Sequence, residues 1–288
     1  MAPKDIALYT SIPGVWKIVG IVAICHFGVT TILWRVGLRH KNHSVLDIYW
    51  GFAFVLGGWI AYELGDAGAS RAKLALTLVT IWGARLGYHL LGRWARLHPL
   101  GGDLRYQDIK DSRIGNEGYW WKSLLFVIWP MAVAIIVAQL NVLWLLVSPN
   151  QPPLGVMDFA ALIAMMGAIL LETVADLQLD AFKANPMNRG KLMTSGVWSW
   201  SRHPNYFADF CCYWCLFIIS CANPRNCWTI ISPLFMSWLL ICWTGRRWMD
   251  EHMSKRHCDY AEYSRSTSGF VPFPPSVRSR AQRQDNMG

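Results

Sequence analysis

The most chemically informative stretch of the sequence is TSGVWSWSRHPNYFAD, residues 194–209, which ends where a long apolar run begins. It holds five polar side chains that can bind a ligand or carry charge: Arg202, His203, Asn205, Tyr206 and Asp209. Charged groups at a membrane edge are energetically costly unless they have partners, so this spacing favours a ligand-binding site. The alternative is a structural interfacial loop in which Pro204 separates two helices.

A second polar stretch, GRRWMDEHMSKRHCDYAEYSR at residues 245–265, mixes cations, carboxylates and aromatic rings. Its notable side chains are Arg247, Asp250, Glu251, Tyr260 and Tyr263. Phosphates bind Arg or Lys, ribose hydroxyls bind carboxylates, and adenine stacks on an aromatic ring, so this mixture suits a dinucleotide. It suits an amphipathic helix on the membrane surface equally well. The motifs G-x-G-x-x-G and G-x-x-x-x-G-K-S/T are absent, so a nucleotide would have to be bound by the helices themselves.

The eight cysteines raise the question of a metal site. The sequence has a single Cys-x-x-Cys pair, Cys212 and Cys215, in an apolar run where cysteine behaves as a small hydrophobic residue. A structural zinc site needs four ligands at matched spacing. We therefore predict no bound metal.

Membrane-spanning helices must position these polar groups. The chain has 288 residues, 53% of them hydrophobic, and its apolar runs of about twenty residues match the length that crosses roughly 30 Å of hydrocarbon as a helix. The sequence predicts an all-α, polytopic membrane protein with about seven transmembrane helices. The predicted spans are 16–38, 46–64, 72–94, 120–147, 154–175, 207–222 and 227–244.

The distribution of Lys and Arg orients this bundle, because short cytoplasmic loops carry an excess of positive charge. Loops rich and poor in basic residues alternate, with 21 basic residues on one side and 5 on the other. The prediction is a lumenal or outer N-terminus and a cytoplasmic C-terminus. The net charge of +9 then meets anionic membrane lipids, and no nucleic-acid partner is expected. In a eukaryote the predicted location is the endoplasmic reticulum membrane.

The third and fifth predicted helices carry ionic residues at four-residue spacing, so each set shares one helix face. The basic set is Arg85, His89 and Arg93, and the acidic set is Glu172, Asp176 and Asp180. We predict a buried ion-pair network between the two faces, with Arg85 bound to Glu172 or Asp176. Such a network is as compatible with a role in fold specification as with ligand binding.

Six strings, in order along nearly the whole chain, resemble one family. They are SVLDIYWG (44–51), IWGARL (81–86), GDLRY (102–106), ETVADLQLDAFK (172–183), SGVWSWSRHPNYFAD (195–209) and FVPFPP (270–275). The chain resembles the membrane-embedded steroid 5α-reductase-like superfamily, most closely its DUF1295 branch. The resemblance implies one transmembrane domain over 1–275, whose 155–275 half binds NADPH from the cytoplasmic side. Residues 276–288 lack apolar periodicity and are predicted to form a disordered tail.

Carried onto this sequence, the resemblance implies a set of cofactor-binding side chains: Asp176, Lys183, Arg202, His203, Asn205, Tyr206, Asp209, Arg247, Asp250, Glu251 and Tyr263. It also implies a reductase acting on a C=C bond of a lipophilic, steroid-, sterol- or enone-like substrate that enters from the bilayer. The pair Ala208 and Asp209 is similar to the Gly-Asp of sterol C14 and C7 reductases, but only locally.

The proton donor is where the sequence departs from that superfamily. In steroid 5α-reductases a Glu on helix 2 and a Tyr on helix 3 polarise the substrate carbonyl. Asp47 stands in the place of the Glu and Trp82 in the place of the Tyr, and an indole cannot donate a phenolic proton. The candidate catalytic residues are therefore Asp47, Tyr49 and Tyr88.

Two other functions stay open. Isoprenylcysteine carboxyl methyltransferases share the RHPNY-type string in a looser form and bind S-adenosylmethionine with that region, although they lack the ADLQLDAFK string in this form. A catalytically inactive sterol or lipid binder would retain the fold, and Trp82 and Ala208 are the residues that favour this interpretation.

Overall fold

The computed structural model describes residues 12–40, 42–65, 69–100, 102–148 and 151–274. Within these ranges the chain is 82% helical and contains no β-strand, which confirms the all-α fold. The predicted tail at 276–288 lies outside the described residues.

The helices are numbered here in chain order. They are α1 (Ile12–Arg39), α2 (Val45–Leu64), α3 (Ser70–Leu97), α4 (Leu104–Ile109), α5 (Tyr119–Val147), α6 (Val156–Ala184), α7 (Pro204–Ser220), α8 (Ile231–Trp238), α9 (Arg246–Arg256) and α10 (Tyr260–Ser266). A π-helical turn at Leu124–Ile128 interrupts α5. Short 3₁₀ segments at Gly196–Ser199 and Pro224–Ile230 precede α7 and α8. Proline begins α7, where its missing N–H removes no helical hydrogen bond.

Six helical stretches of the described chain are long and apolar enough to cross a membrane. They are Gly14–Arg39, Val45–Leu64, Ser70–Leu97, Tyr119–Val147, Val156–Ala184 and Pro224–Arg256. These stretches coincide with six of the predicted spans, and the chain is a polytopic membrane protein. The remaining predicted span, 207–222, falls on α7, which has 17 residues. The total number of spans and the orientation of the termini stay predictions.

The chain divides into two compact units. Unit 1 takes the described chain up to Phe159 together with Leu216–Ser232, and unit 2 takes Ala160–Cys215 and the described chain from Pro233 onward. The assignment of residues 1–275 to one functional domain stays a prediction.

In unit 1, α2 packs closely along α3 because both helices present glycine at their contact. A Cβ added to Gly83 would lie 2.6 Å from the carbonyl oxygen of Gly51, so the two backbones nearly touch. Small residues at helix crossings permit this approach within membranes. On the same two helices, Trp82 is fully buried and packs edge to face on Phe54, with ring centroids 5.0 Å apart.

In unit 2, the loop before α7 is fastened both to α6 and to the C-terminal segment. Trp198 Nε1 donates a hydrogen bond to the Ala175 carbonyl at 3.0 Å. A parallel backbone bridge joins Ser201 to Ser268, and the Arg202 amide donates to the Ser268 carbonyl at 2.9 Å. These bonds bring the polar stretch at 194–209 against the one at 245–265.

Candidate functional site

The two polar stretches meet at one carboxylate, that of Asp250 on α9. Arg202 donates to it twice, from Nη2 to Oδ2 at 2.9 Å and from Nε to Oδ1 at 3.3 Å. His203 Nε2 donates to Oδ1 at 2.8 Å, and the Tyr260 hydroxyl donates to the same oxygen. Arg246, four residues before Asp250, adds a cation 3.6 Å from Oδ2. We call Arg202, His203, Asp250 and Tyr260 the Asp250 cluster.

Protein acceptors already occupy the guanidinium group of Arg202. Besides its bonds to Asp250, its Nη1 donates to the carbonyl oxygens of Ser264 at 2.8 Å and Thr267 at 3.3 Å. Its Cζ also lies 5.9 Å from the ring centroid of Tyr260, within the range of a cation–π contact. With its side chain only 10% exposed, Arg202 joins the start of α7 to α9 and α10 and retains little capacity for a phosphate group.

His203 acts as a neutral donor in this cluster. Burial lowers its pKa, and the neighbouring guanidinium groups act in the same direction, although the Asp250 carboxylate opposes the shift. The uncharged imidazole therefore donates Nε2–H to Asp250, and its ring stacks on Tyr206 with centroids 5.5 Å apart. Burial and the hydrogen bond to Asp250 raise the pKa of Tyr260, so its phenol also keeps its proton.

A second set of polar side chains lies between α6 and α7. We call its members, Glu172, Asp176, Asn205 and Asp209, the buried polar row. Asn205 Nδ2 donates to Asp176 Oδ1 at 3.2 Å, and Asn205 Oδ1 accepts from the Tyr206 amide at 3.0 Å. Asp176 is 5% exposed, and Glu172, one turn earlier on α6, is 3% exposed. Asp209 on α7 is partly buried. Carboxylates in this position are suited to accept hydrogen bonds from the hydroxyl or amide groups of a ligand.

An apolar cavity of about 310 Å³ lies between the same two helices within unit 2. It is lined by Ala164, Gly167, Ala168 and Leu171 of α6 and by Phe207, Ala208, Phe210, Cys211, Trp214 and Cys215 of α7. Small residues on α6 create the volume, since a Cβ added to Gly167 would meet no atom within 4 Å. Two of the lining residues, Leu171 and Ala208, are chain neighbours of Glu172 and Asp209. Its volume lies at the lower end of the range for small-ligand pockets, about 300–1,000 Å³.

Other predicted cofactor residues lie elsewhere in unit 2. Arg247 and Glu251 form an ion pair with each other at 3.1 Å, with side chains 72% and 60% exposed. Lys183 is exposed near the end of α6. Tyr263 is buried and donates its hydroxyl to the Trp198 carbonyl at 2.6 Å, so it packs the loop before α7. The structure thus unites only part of the predicted set, and the cofactor role of every member stays a prediction.

The predicted cofactor set omits one member of the Asp250 cluster, Tyr260. It follows Asp250 by ten residues, a spacing that no single helix face explains. The chain must turn between α9 and α10 before the two side chains meet. Arg246 is also absent from the predicted set, but its four-residue spacing from Asp250 is a signal that could have identified it.

Asp47, a candidate proton donor on α2, is an acceptor held by two groups of the GDLRY string. Arg105 Nη2 donates to its Oδ2 at 2.6 Å, and the Tyr106 hydroxyl donates to its Oδ1 at 2.7 Å. Burial raises the pKa of Tyr106 well above its ordinary value, and the charge of Asp47 adds to the shift. The Tyr106 phenol therefore keeps its proton, and Tyr106 is absent from the predicted catalytic set.

Asp103 extends this ionic group in unit 1. It accepts from Arg105 Nη2 at 3.1 Å and from Arg93. Burial opposes ionisation of Asp103, but the charge and hydrogen bonds of Arg105 prevail and lower its pKa. Arg93, which its spacing assigned to the basic face of helix 3, thus binds a carboxylate in the loop that follows its own helix. The predicted pairing of Arg85 stays a prediction.

The other two candidate catalytic residues have opposite environments. Tyr49 is 7% exposed, and its hydroxyl lies 2.7 Å from Nδ1 of the fully buried His26. His26 Nε2 is in turn hydrogen-bonded to the side-chain amide of Gln139 on α5. Tyr88, by contrast, is 67% exposed on α3, with its ring edge to face on Phe52. Tyr49 therefore belongs to an internal polar network, whereas Tyr88 lies on the surface of the chain.

Among the described residues, no group of three or more His, Cys, Asp or Glu side chains is arranged to hold a metal ion. The absence of a metal from the functional protein stays a prediction.

Comparisons with known proteins give a partial relative and a family. A stretch of 40 residues is 48% identical to the probable O-methyltransferase ustE of Ustilaginoidea virens, and this stretch covers 14% of each chain. No solved structure matches the chain. The DUF1295 family, described as proteins of unknown function, matches residues 33–267, a range that includes the Asp250 cluster, the buried polar row and the apolar cavity. The protein therefore belongs to the DUF1295 family.

Proposed function

We propose that this protein is an integral membrane reductase that uses NADPH to reduce a C=C bond of a lipophilic substrate. The observation that carries the proposal is the apolar cavity of about 310 Å³ between α6 and α7, the two helices that also carry the buried polar row of unit 2. A lipid reductase needs both features, because polar side chains bind the dinucleotide while an apolar volume accommodates the substrate.

The side chains of unit 2 fit the chemical groups of NADPH. Its phosphates require cations, and the exposed side chains of Lys183 and Arg247 can supply them, whereas the donors of Arg202 are occupied by Asp250 and backbone carbonyls. Its ribose hydroxyls and carboxamide donate hydrogen bonds that Asp176 is placed to accept. The cofactor supplies the hydride when bound, and the contribution of the protein is orientation and electrostatics.

The Asp250 cluster has a positioning role in this proposal. It fixes the start of α7, and with it Asn205, against α9 and α10 through hydrogen bonds of 2.8–3.3 Å. Asn205 can then hold the Asp176 carboxylate at 3.2 Å. Side chains that bind a ligand keep a productive geometry when neighbouring residues hold them rigidly through hydrogen bonds.

Two phenols of unit 1 have the hydrogen bonding of a proton donor, and their use in this reaction is part of the proposal. Tyr106 keeps its proton beside the Asp47 carboxylate, and Tyr49 is held by His26. A positioned phenol can stabilise a developing enolate by hydrogen bonding and then protonate it. Tyr88 is exposed, and Asp47 is an acceptor in both of its hydrogen bonds, so neither is favoured for this step.

A second candidate function is methyl transfer from S-adenosylmethionine. The partial identity to the probable O-methyltransferase ustE favours it. The two cofactors differ in charge, because NADPH brings several phosphates and S-adenosylmethionine brings a sulfonium cation. The exposed cations of unit 2 would therefore attract the phosphates of NADPH and repel the sulfonium of S-adenosylmethionine.

The two candidates are separated by thermal shift of the purified protein in detergent. We expect NADPH, and not S-adenosylmethionine, to raise the melting temperature. Replacing Lys183 or Arg247 with Ala should weaken that response while leaving the melting temperature without ligand unchanged, because both side chains are exposed. Arg225, exposed on the 3₁₀ segment of unit 1, provides the matched control Arg225→Ala. A shift with S-adenosylmethionine alone would replace the reductase proposal with the methyltransferase one.

A further inference from the structure

The segment that follows α10, residues 267–273, returns to the start of α7 and is bound there through its backbone. The Ser201 hydroxyl donates to the Phe270 carbonyl at 2.7 Å, and the Phe273 amide donates to the Trp200 carbonyl at 3.0 Å. Together with the parallel backbone bridge, these bonds fix the register of the segment against the loop before α7. We call residues 267–273 the C-terminal strap.

The two phenylalanines of the C-terminal strap have opposite environments. Phe270 is 8% exposed and packs edge to face on both Phe207 and Phe210, with ring centroids 5.7 Å and 5.6 Å apart. Phe273 is 63% exposed. Edge-to-face aromatic pairs stabilise a packing arrangement beyond the burial of their surface. Phe270 therefore holds the rings of Phe207 and Phe210 in one arrangement.

Phe207 and Phe210 connect Phe270 to the apolar cavity between α6 and α7. Both rings line that cavity, whereas Phe270 touches both rings without being part of the lining. All three residues and the whole lining belong to unit 2. Because side chains in a packed interior leave few voids, rings supported from behind cannot turn away from the cavity. Phe270 thus acts on the shape of the cavity through Phe207 and Phe210.

The cavity is long and narrow. Its lining runs from Ala164 to Leu171 on α6 and from Phe207 to Cys215 on α7, which corresponds to about 10 Å along a helix. Spread over that length, its volume of about 310 Å³ gives a cross-section of roughly 30 Å². Carbon atoms in contact lie about 3.5–4.0 Å apart, so this width suits one extended hydrocarbon chain better than a fused ring system. Ala164 and Gly167 are exposed, so the cavity opens on the surface of α6.

We propose that the cavity binds a single extended hydrocarbon chain and that Phe270 is a positioning residue that sets the chain length the cavity accepts. Phe207 is the first cavity residue of α7, so the rings of Phe207 and Phe210 form the wall at one end of the cavity. Phe270 keeps this wall in place. The inference rests on the part of the proposed function that assigns the cavity to a lipophilic substrate, and it does not depend on the identity of the cofactor.

Competition against a photocrosslinking probe tests the proposal. The full chain in phospholipid nanodiscs is labelled with a diazirine-bearing fatty acid, and unlabelled saturated fatty acids of increasing length compete for the modification of α6 and α7. The parent protein should prefer one chain length. Phe270→Ala should shift this preference to longer chains, because the rings of Phe207 and Phe210 can relax into the vacated space. Each methylene group newly accommodated should favour the longer chain by about fourfold, which corresponds to about 0.8 kcal/mol.

Two further variants separate this effect from a loss of structure. Phe273→Ala removes the same ring from an exposed position of the C-terminal strap and should leave the chain-length preference unchanged. Phe270→Leu is a milder change that should shift the preference in the same direction by less, and it decides the matter if Phe270→Ala does not fold. A general loss of structure would weaken the binding of all chain lengths alike, so a change in the preferred length reports the shape of the cavity.

An unshifted preference in folded Phe270→Ala, or in Phe270→Leu if Phe270→Ala does not fold, would overturn the proposal. An equal shift in Phe273→Ala would also overturn it, and so would displacement of the probe by cholesterol but by no fatty acid. NADPH binding is measured on the same preparations. Binding of NADPH without a preferred chain length would overturn this inference and leave the cofactor proposal intact, whereas the expected shift without NADPH binding would support the inference and contradict the cofactor proposal.

Discussion

Asp250→Asn is the substitution that tests the Asp250 cluster most sharply. The asparagine keeps the volume of the side chain but removes the negative charge that Arg202, His203 and Tyr260 all approach. The Arg202 and Asp250 side chains are only 10% and 22% exposed. Removing one partner of a fully buried ion pair costs about 3–5 kcal/mol, and partial exposure together with the acceptor retained by Asn reduces this to about 2–3 kcal/mol. The melting temperature should therefore fall by roughly 5–10 °C.

The neighbouring residue on the same helix provides a matched control. Glu251→Gln removes one carboxylate charge in the same way, but the Glu251 and Arg247 side chains are 60% and 72% exposed. Exposed ion pairs contribute less than about 1 kcal/mol, so the melting temperature should barely change. Both variants are measured by thermal unfolding of purified protein in detergent, in parallel with NADPH affinity. Equal melting temperatures for Asp250→Asn, Glu251→Gln and the parent would refute the structural role assigned to the cluster.

Three further outcomes are expected. Folding lowers the pKa of His203, so on acidification the unfolded chain binds a proton that the folded chain does not. The stability contributed by the neutral imidazole is complete above pH 6.5 and is lost as the pH falls through the pKa of the folded state. The melting temperature should therefore fall on acidification, and it should fall less in His203→Gln. Some fall should persist in that variant, because burial also lowers the pKa of His43, to about 4. Gly167→Leu should fill the apolar cavity and abolish photocrosslinking of a diazirine-bearing fatty acid to α6 and α7, whereas Gly28→Leu, also in open space on a membrane helix, should not. Asn205→Ala removes a donor that holds the Asp176 carboxylate, so it should weaken NADPH binding by about 1.5–3 kcal/mol, or roughly 10- to 150-fold, with a smaller effect on the melting temperature. A loss of stability without a loss of affinity would contradict its positioning role.

The long helices were predictable because their length is set by the membrane. The predicted span at 46–64 and the observed α2 at Val45–Leu64 differ by a single residue. Residues that share one local stretch could also be grouped in advance, as Arg202 and His203 were. Their mutual partner, Asp250, was placed in the same predicted site, but the direct bonds among the three were not predicted.

Side-chain partners across loops could not be predicted, since spacing along one helix does not reveal the direction in which the next loop turns. The spacing of Arg93 predicted that it shares a face with Arg85 toward the fifth predicted helix, which is α6. Arg93 binds Asp103 because the loop after α3 returns past its own helix. Tyr49 lies in an apolar helix, and the residues next to it in sequence do not reveal a hydrogen-bond partner for its hydroxyl. Its partner His26 lies 23 residues earlier, on α1, and helical periodicity alone does not fix how two helices are rotated against each other.

The measurement that tests the central claim most directly is energy transfer from protein tryptophan to bound NADPH. The chain has 17 Trp residues, and Trp214 lines the apolar cavity next to the proposed cofactor side chains. Titration of the purified protein in detergent should give saturable NADPH fluorescence that excess NADP⁺ displaces and S-adenosylmethionine does not. A folded protein that gives no saturable signal with NADPH would contradict the account.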